Sequence, residues 1–166
     1  MNKSFEKPGS RVAEGPRVVY RGGKGGAGVV GFCVHGLSGT GARFSTQELI
    51  EALKAGLPVQ EIEELRHLLD LTMDRLVPML GLSKATFHRR KIAGRLDPAE
   101  SDRVVRFARL LGTAVEVMES LENARLWLSS PQIGLGGAVP LEFAGTEVGA
   151  REVEDLLGRI DHGVYS

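Results

Sequence analysis

The residues best suited to chemistry in this 166-residue chain are cationic and close together. Lys84, Arg89, Arg90, Lys91 and Arg95 put five positive charges into residues 84–96, a stretch that holds no acid. Lys and Arg in such a cluster pair with guanine edges or with phosphate oxygens, and a helix amino terminus adds backbone N–H groups for a phosphate. Nucleic-acid binding is the chemistry on offer. Spacing alone leaves open the plainer alternative, a basic solvated helix in an ordinary bundle.

Catalytic readings are thin. Gly26-Ala27-Gly28-Val29-Val30-Gly31 fits GxGxxG, but no strand pattern precedes it, no helical pattern follows closely, and glycine is abundant there by composition. Lys24 lies in the run Gly22 to Gly28 without the Gly-Lys-Ser/Thr ending of a phosphate loop. His35, His67, His88 and His162 form no pairs at metal-ligand spacing, and Cys33 near His35 lacks a third partner. No catalytic residue, metal or cofactor is expected, so the chain reads as a non-enzyme.

The elements that must position the cationic cluster follow from start and stop signals. In LTMDRLVPMLGLSKATFHRRKIAGRL, Leu76 and Leu80 face inward from a first helix, Gly81 turns the chain, Leu82 plugs the turn and Phe87 anchors a second helix capped by Ser83. This helix-turn-helix spacing directs Ser83, Lys84, Ala85, His88 and Arg89 outward, toward base edges in a major groove. Arg90 and Arg95 extend the basic surface. Two departures stand out: Pro78 falls inside the first helix, and Arg90 occupies a position that is usually apolar. Around this unit, Ser45 or Thr46 starts a helix to Ala55, and Pro58 opens another through Leu69. A long helix from about Ala99 to Glu119 follows Asp97-Pro98, then one over Leu121 to Leu128. Ser129 to Gly145 is a Pro- and Gly-rich loop with one helical turn at Leu141 to Phe143, and a last helix runs from Thr146 to near Ile160. The long helix carries two apolar stripes, one through Val104, Ala108, Leu111, Val115 and Met118 and one through Phe107, Leu110, Ala114, Val117 and Leu121. So wide an arc calls for cover by its own domain and by a neighbour such as a second copy, or for a fully internal helix. Arg103, Arg106 and Arg109 line its remaining side and could extend the phosphate-binding surface, and Trp127 reads as core.

Charge is local rather than global, since 21 bases match 21 acids. Residues 1–45 carry seven bases against two acids, residues 46–74 two against seven, residues 75–109 nine against three, and residues 110–166 three against nine. A neutral chain of alternating blocks suits either internal compensation or separate surfaces for an anionic and a cationic partner. Residues 1–45 also hold eleven of the 22 glycines, so they read as a flexible arm whose apolar island, Val29 to Val34, could form a short strand. One cysteine excludes an intramolecular disulfide, and no apolar run is long enough to span a bilayer or to serve as a secretory signal, which points to the cytoplasm.

From Leu57 onward, and most clearly in GLSKATFHRRKIAGRLDPAESDRVVRFARLL and ARLWLSSPQIGLGGAVPLEFAGTEVGAREVEDLLGRIDHGVYS, the sequence resembles Xre-type antitoxins of the Xre-RES toxin-antitoxin family. These carry the toxin-binding domain shared with MbcA and ParS. The resemblance implies an all-α helical bundle with a helix-turn-helix domain (46–100) and a toxin-binding domain (101–166); the Gly-rich basic arm (1–45), read from composition, lies outside it. It also implies a homodimer that binds its own operon's promoter and holds a RES toxin inactive. RES toxins resemble ADP-ribosyltransferases and deplete NAD. By this carry-over, Arg151, Glu152, Leu156, Arg159, Gly163, Val164 and Tyr165 lie at or near the toxin's active-site entrance and exclude NAD sterically. A stand-alone helix-turn-helix regulator with no toxin partner is the alternative.

Overall fold

The computed structural model describes residues 29–35 and 45–164, and all of their regular structure is helical. In chain order the elements are α1 (Val29–His35), α2 (Thr46–Ala55), α3 (Gln60–Leu69), α4 (Met73–Met79), α5 (Lys84–Ala93), α6 (Pro98–Met118), α7 (Leu121–Ser129), a 3-10 turn (Ile133–Leu135), α8 (Pro140–Phe143) and α9 (Glu147–Asp161). Strand-like pairing among the described residues is limited to two isolated bridges, Pro58 with Arg95 and Gln132 with Ala138. None of the described helices is long and apolar enough to cross a membrane.

Local chemistry sets the boundaries. Ser45 and Glu48 form a reciprocal capping box on α2, and Asp97 and Glu100 form another on α6, where Pro98 takes the first helical turn. Ser83, Ser120 and Thr146 each accept a backbone N–H at the starts of α5, α7 and α9. Pro58 does not open α3. The segment around it is zipped to the end of α5, with Val59 N–H donating to Gly94 O and Leu96 N–H to Leu57 O, so the helix begins only at Gln60.

The long helix α6 is the spine. It packs against α1, α2, α3, α7 and α9. Val104, Phe107, Ala108, Leu110, Leu111 and Ala114 are all buried by this chain alone. The first turns of both apolar stripes are therefore covered internally, whereas Val115, Val117, Met118 and Leu121 at their far ends are only partly buried against the core. Arg125 on α7 links the halves, donating from Nε to Leu68 O at 2.6 Å and from Nη2 to His67 O at 2.9 Å, which satisfies carbonyls at the end of α3.

The apolar island near the N terminus is a helix, not a strand. An isolated strand among helices would leave its backbone groups without a ladder, whereas α1 seats its first amides on the buried carboxylate of Glu61. Val29, Val30 and Cys33 join the core. The remainder of the arm, residues 1–28 and 36–44, lies outside the described residues, as does Tyr165.

Candidate functional site

Two surfaces emerge, one on α5 and one around α9. The α4–α5 turn is built as the apolar spacing predicts: Leu76, Leu80 and Leu82 are buried, Gly81 adopts φ +68°, and Leu82 N–H donates to Val77 O at 3.1 Å. Pro78 is accommodated one residue before α4 ends, at the cost of one helical N–H donor. With the turn fixed, Ser83, Lys84, Ala85, His88 and Arg89 are all exposed along one side of α5.

The cations differ in how far they are already engaged. Lys84 Nζ lies 2.8 Å from Asp74 Oδ1, both side chains being solvent-facing. The pair holds the Asp74 carboxyl below its ordinary range and raises the Lys84 ammonium. Arg89 is exposed, and Lys91 stands over the Phe87 ring at 5.6 Å. Arg90 is turned inward: its Nη2 donates to Asp97 Oδ2 at 2.9 Å and its Nε lies 2.7 Å from Glu100 Oε2. Arg95 Nη1 donates to Gly56 O at 2.7 Å and so caps the end of α2.

Arg103, Arg106 and Arg109 do not extend the basic face. Arg103 Nη1 donates to Leu80 O, behind the turn. Arg106 Nε lies 3.0 Å from Glu147 Oε2, and Arg109 Nη2 lies 3.3 Å from Glu154 Oε1. These two pairs tie α9 to α6, so part of the charge alternation along the chain is internal compensation.

Around α9 the surface is apolar at its centre. The helix buries Gly149, Ala150, Val153 and Leu157 and turns Val148, Arg151, Glu152 and Asp155 to solvent. Beside it lies an open groove of about 580 Å³ lined by Met118, Trp127, Ile133, Leu156, Ile160 and Val164. Trp127 is thus half-buried at a groove wall rather than enclosed in the core. The loop that forms the opposite wall is held by Gln132, whose side-chain amide donates to Trp127 O at 2.9 Å and Ser130 O at 3.1 Å. Gly134 lets the loop lie on α9, because a Cβ there would stand 2.6 Å from Leu156 Cδ1. At the far end Val164 N–H donates to Arg159 O, and Gly163 takes φ +66°. Arg159, Leu156 and Val164 therefore meet at one groove, whereas Arg151 and Glu152 occupy the exposed side of the same helix, Arg151 paired with Glu147. Ile133, 97% exposed at the rim, is not legible as a site residue from the sequence.

The chain matches two family models that meet within α6. Residues 48–109 match the antitoxin Xre-like helix-turn-helix domain, and residues 113–163 match the antitoxin Xre/MbcA/ParS C-terminal toxin-binding domain. It is also 34% identical over 120 residues to a protein of Yersinia enterocolitica named antitoxin Xre, covering 71% of this chain and 81% of the relative. The chain belongs to the Xre antitoxin family. A second antitoxin Xre, of Photorhabdus laumondii, is 31% identical over 116 residues, 69% of this chain and 78% of that one. Set against these Xre domains, the basic face of α5 falls in the helix-turn-helix part and the groove beside α9 in the toxin-binding part.

Proposed function

We propose that the chain is the antitoxin of a type II toxin-antitoxin pair, acting in the cytoplasm as a homodimer. Its α9 face, groove and tail cover the active site of a NAD-depleting RES toxin, and its α5 face binds promoter DNA of its own operon. In this reading residues 101–166 are the toxin-binding domain and residues 46–100 the DNA-binding domain. Arg151, Glu152, Leu156, Arg159, Gly163, Val164 and Tyr165 contact the toxin, and NAD is kept out by occlusion, without catalysis by this chain. On the DNA side, Ser83, Lys84, Ala85, His88 and Arg89 face the duplex; Arg90 and Arg95 act mainly by holding α5 against α6 and α2.

The observation that carries this reading is the coincidence of the toxin-binding match with a solvent-facing apolar rim, in which Ile133 is 97% exposed and Val164, one residue past the match, 54%. Apolar side chains displayed beside a groove favour burial against a partner. The acidic C-terminal block complements a partner that presents cations for a dinucleotide. The test is co-expression with the neighbouring RES-type toxin. The full chain rescues growth and keeps NAD at its normal level, and Ile133→Asp, a surface change, loses both while remaining folded. Rescue that survives Ile133→Asp and also survives deletion of residues 146–166 overturns the occlusion model.

A further inference from the structure

We propose that Ile92 is a specificity-determining residue of α5, packing its side chain on the C5-methyl group of a thymine in the major groove; the inference rests on the DNA-binding reading of α5. Two contacts fix the inward side of this helix. Phe87 packs against the core, and Arg90 is paired with Asp97 and Glu100 at the start of α6. At about 100° per residue, the direction opposite those two belongs to Ala85 and Ile92, with His88 and Arg89 on either flank. All four are exposed. They stand at i, i+3, i+4 and i+7, the spacing by which one face of a helix lying in a major groove presents its side chains to base edges.

Ile92 is an unusual residue to leave in water. Its side chain is 76% exposed, and it is β-branched, which brings no advantage in a helix. Pointing away from the body, it has no core to join. The charge around it selects the cover. Residues 84–96 hold no acid, and Lys91 and Arg89 flank the apolar side chain. A second copy docked here by a two-fold contact would bring these cations against their own counterparts. Duplex DNA instead supplies the counter-charge on its walls and, on the floor of its major groove, one apolar group, the thymine methyl. Ala85 carries only a methyl itself, so the first turn of α5 can lie close to the bases. Ile92, the ninth of ten residues, stands about 10.5 Å farther along the axis, or about three base steps. It is about 4.5 Å past Arg89, which puts the thymine roughly one base step beyond the base pair that Arg89 faces.

The test uses the full chain and a fluorescent duplex taken from upstream of its own reading frame. Each thymine is replaced in turn by deoxyuridine, which removes the methyl group alone, and affinity is measured for the unmodified chain and for Ile92→Ala. At least one replacement weakens the unmodified chain about fourfold, the usual effect of one buried methyl group. Ile92→Ala keeps its thermal midpoint, binds the original duplex more weakly and is indifferent to that replacement. Equal responses of the two chains at every position, or no methyl-sensitive thymine for the unmodified chain, overturns the proposal; if Lys84→Gln still weakens binding, the α5 reading stands. A dimer that dissociates on Ile92→Ala in analytical ultracentrifugation also overturns it, by assigning the residue to a contact between copies. Failure of the unmodified chain to bind any duplex overturns both readings.

Discussion

Arg90 Nε stands 2.7 Å from Glu100 Oε2, across the junction of α5 and α6. The position that interrupts the apolar pattern of the helix-turn-helix is thus filled by a cation whose counter-charge arrives from the next helix. Glu100 is 5% exposed, and its second task is the capping box, in which it accepts the N–H of Asp97 at 2.9 Å. One carboxylate serves the start of α6 and the end of α5.

Restoring an apolar residue at this position is therefore expected to harm the fold. Arg90→Leu leaves the Glu100 carboxylate buried without its cation, which costs more than the added apolar contact returns. Its urea midpoint falls below that of the unmodified chain, and an equal or higher midpoint would show that the pair contributes nothing. Asp97→Ala, which removes the cap that accepts Glu100 N–H at 2.7 Å, costs about 1 kcal/mol.

Asp74 and Lys84 make opposite predictions for DNA. Lys84→Gln and Arg89→Gln each reduce the salt slope by about 0.9 if the contact is to phosphate, or relax sequence preference if it is to a base. Asp74→Asn frees Lys84 and removes a negative charge from the same face, so it raises affinity severalfold. Band-shift titrations at two salt concentrations separate these outcomes.

The groove beside α9 predicts which substitutions spare the fold and lose the partner. Ile133→Asp alters a side chain 97% exposed, so the thermal midpoint stays within a few degrees. If Ile133 is a central contact, its loss weakens toxin binding by about 2 kcal/mol, roughly 30-fold in Kd. Calorimetry with the purified toxin reads this directly.

Gly149→Ala is expected to be destabilising although alanine favours helices. A Cβ at that position would overlap the carbonyl of Phe143, the backbone of α8 that packs on the first turn of α9. The cost is about 2 kcal/mol or more, visible as a lower melting temperature.

Cys33 reports on α1. Burial pushes its thiol from 9.0 up to about 11, with Arg109 opposing and Glu61 adding to the shift. A raised thiol value means that its contribution to stability is complete below 9.0 and is lost as pH climbs toward 11. Alkylation by iodoacetamide at neutral pH is slow in the folded chain and accelerates in Glu61→Ala, where α1 is released. Rapid labelling of the unmodified chain would show that the helix does not stay seated.

The sequence by itself determined those boundaries at which caps and breakers act within one turn: Ser83, Asp97-Pro98, Gly94 and Thr146 each stop or start a helix where they stand, whereas the start of α3 and the helical form of α1 depended on packing. It also determined the inward face of the helix-turn-helix and the outward set on α5, since a 3.6-residue period fixes both together. The tertiary structure decided everything that depends on pairing across distance. Glu61 meets α1 from 32 residues away, Arg106 and Arg109 are neutralised by acids of α9, and Trp127 becomes a groove wall because Gln132 and Gly134 lay the loop beside it. A charge or an aromatic ring has the same identity wherever it lands, and only packing assigns it a counter-ion, a core or an exposed edge.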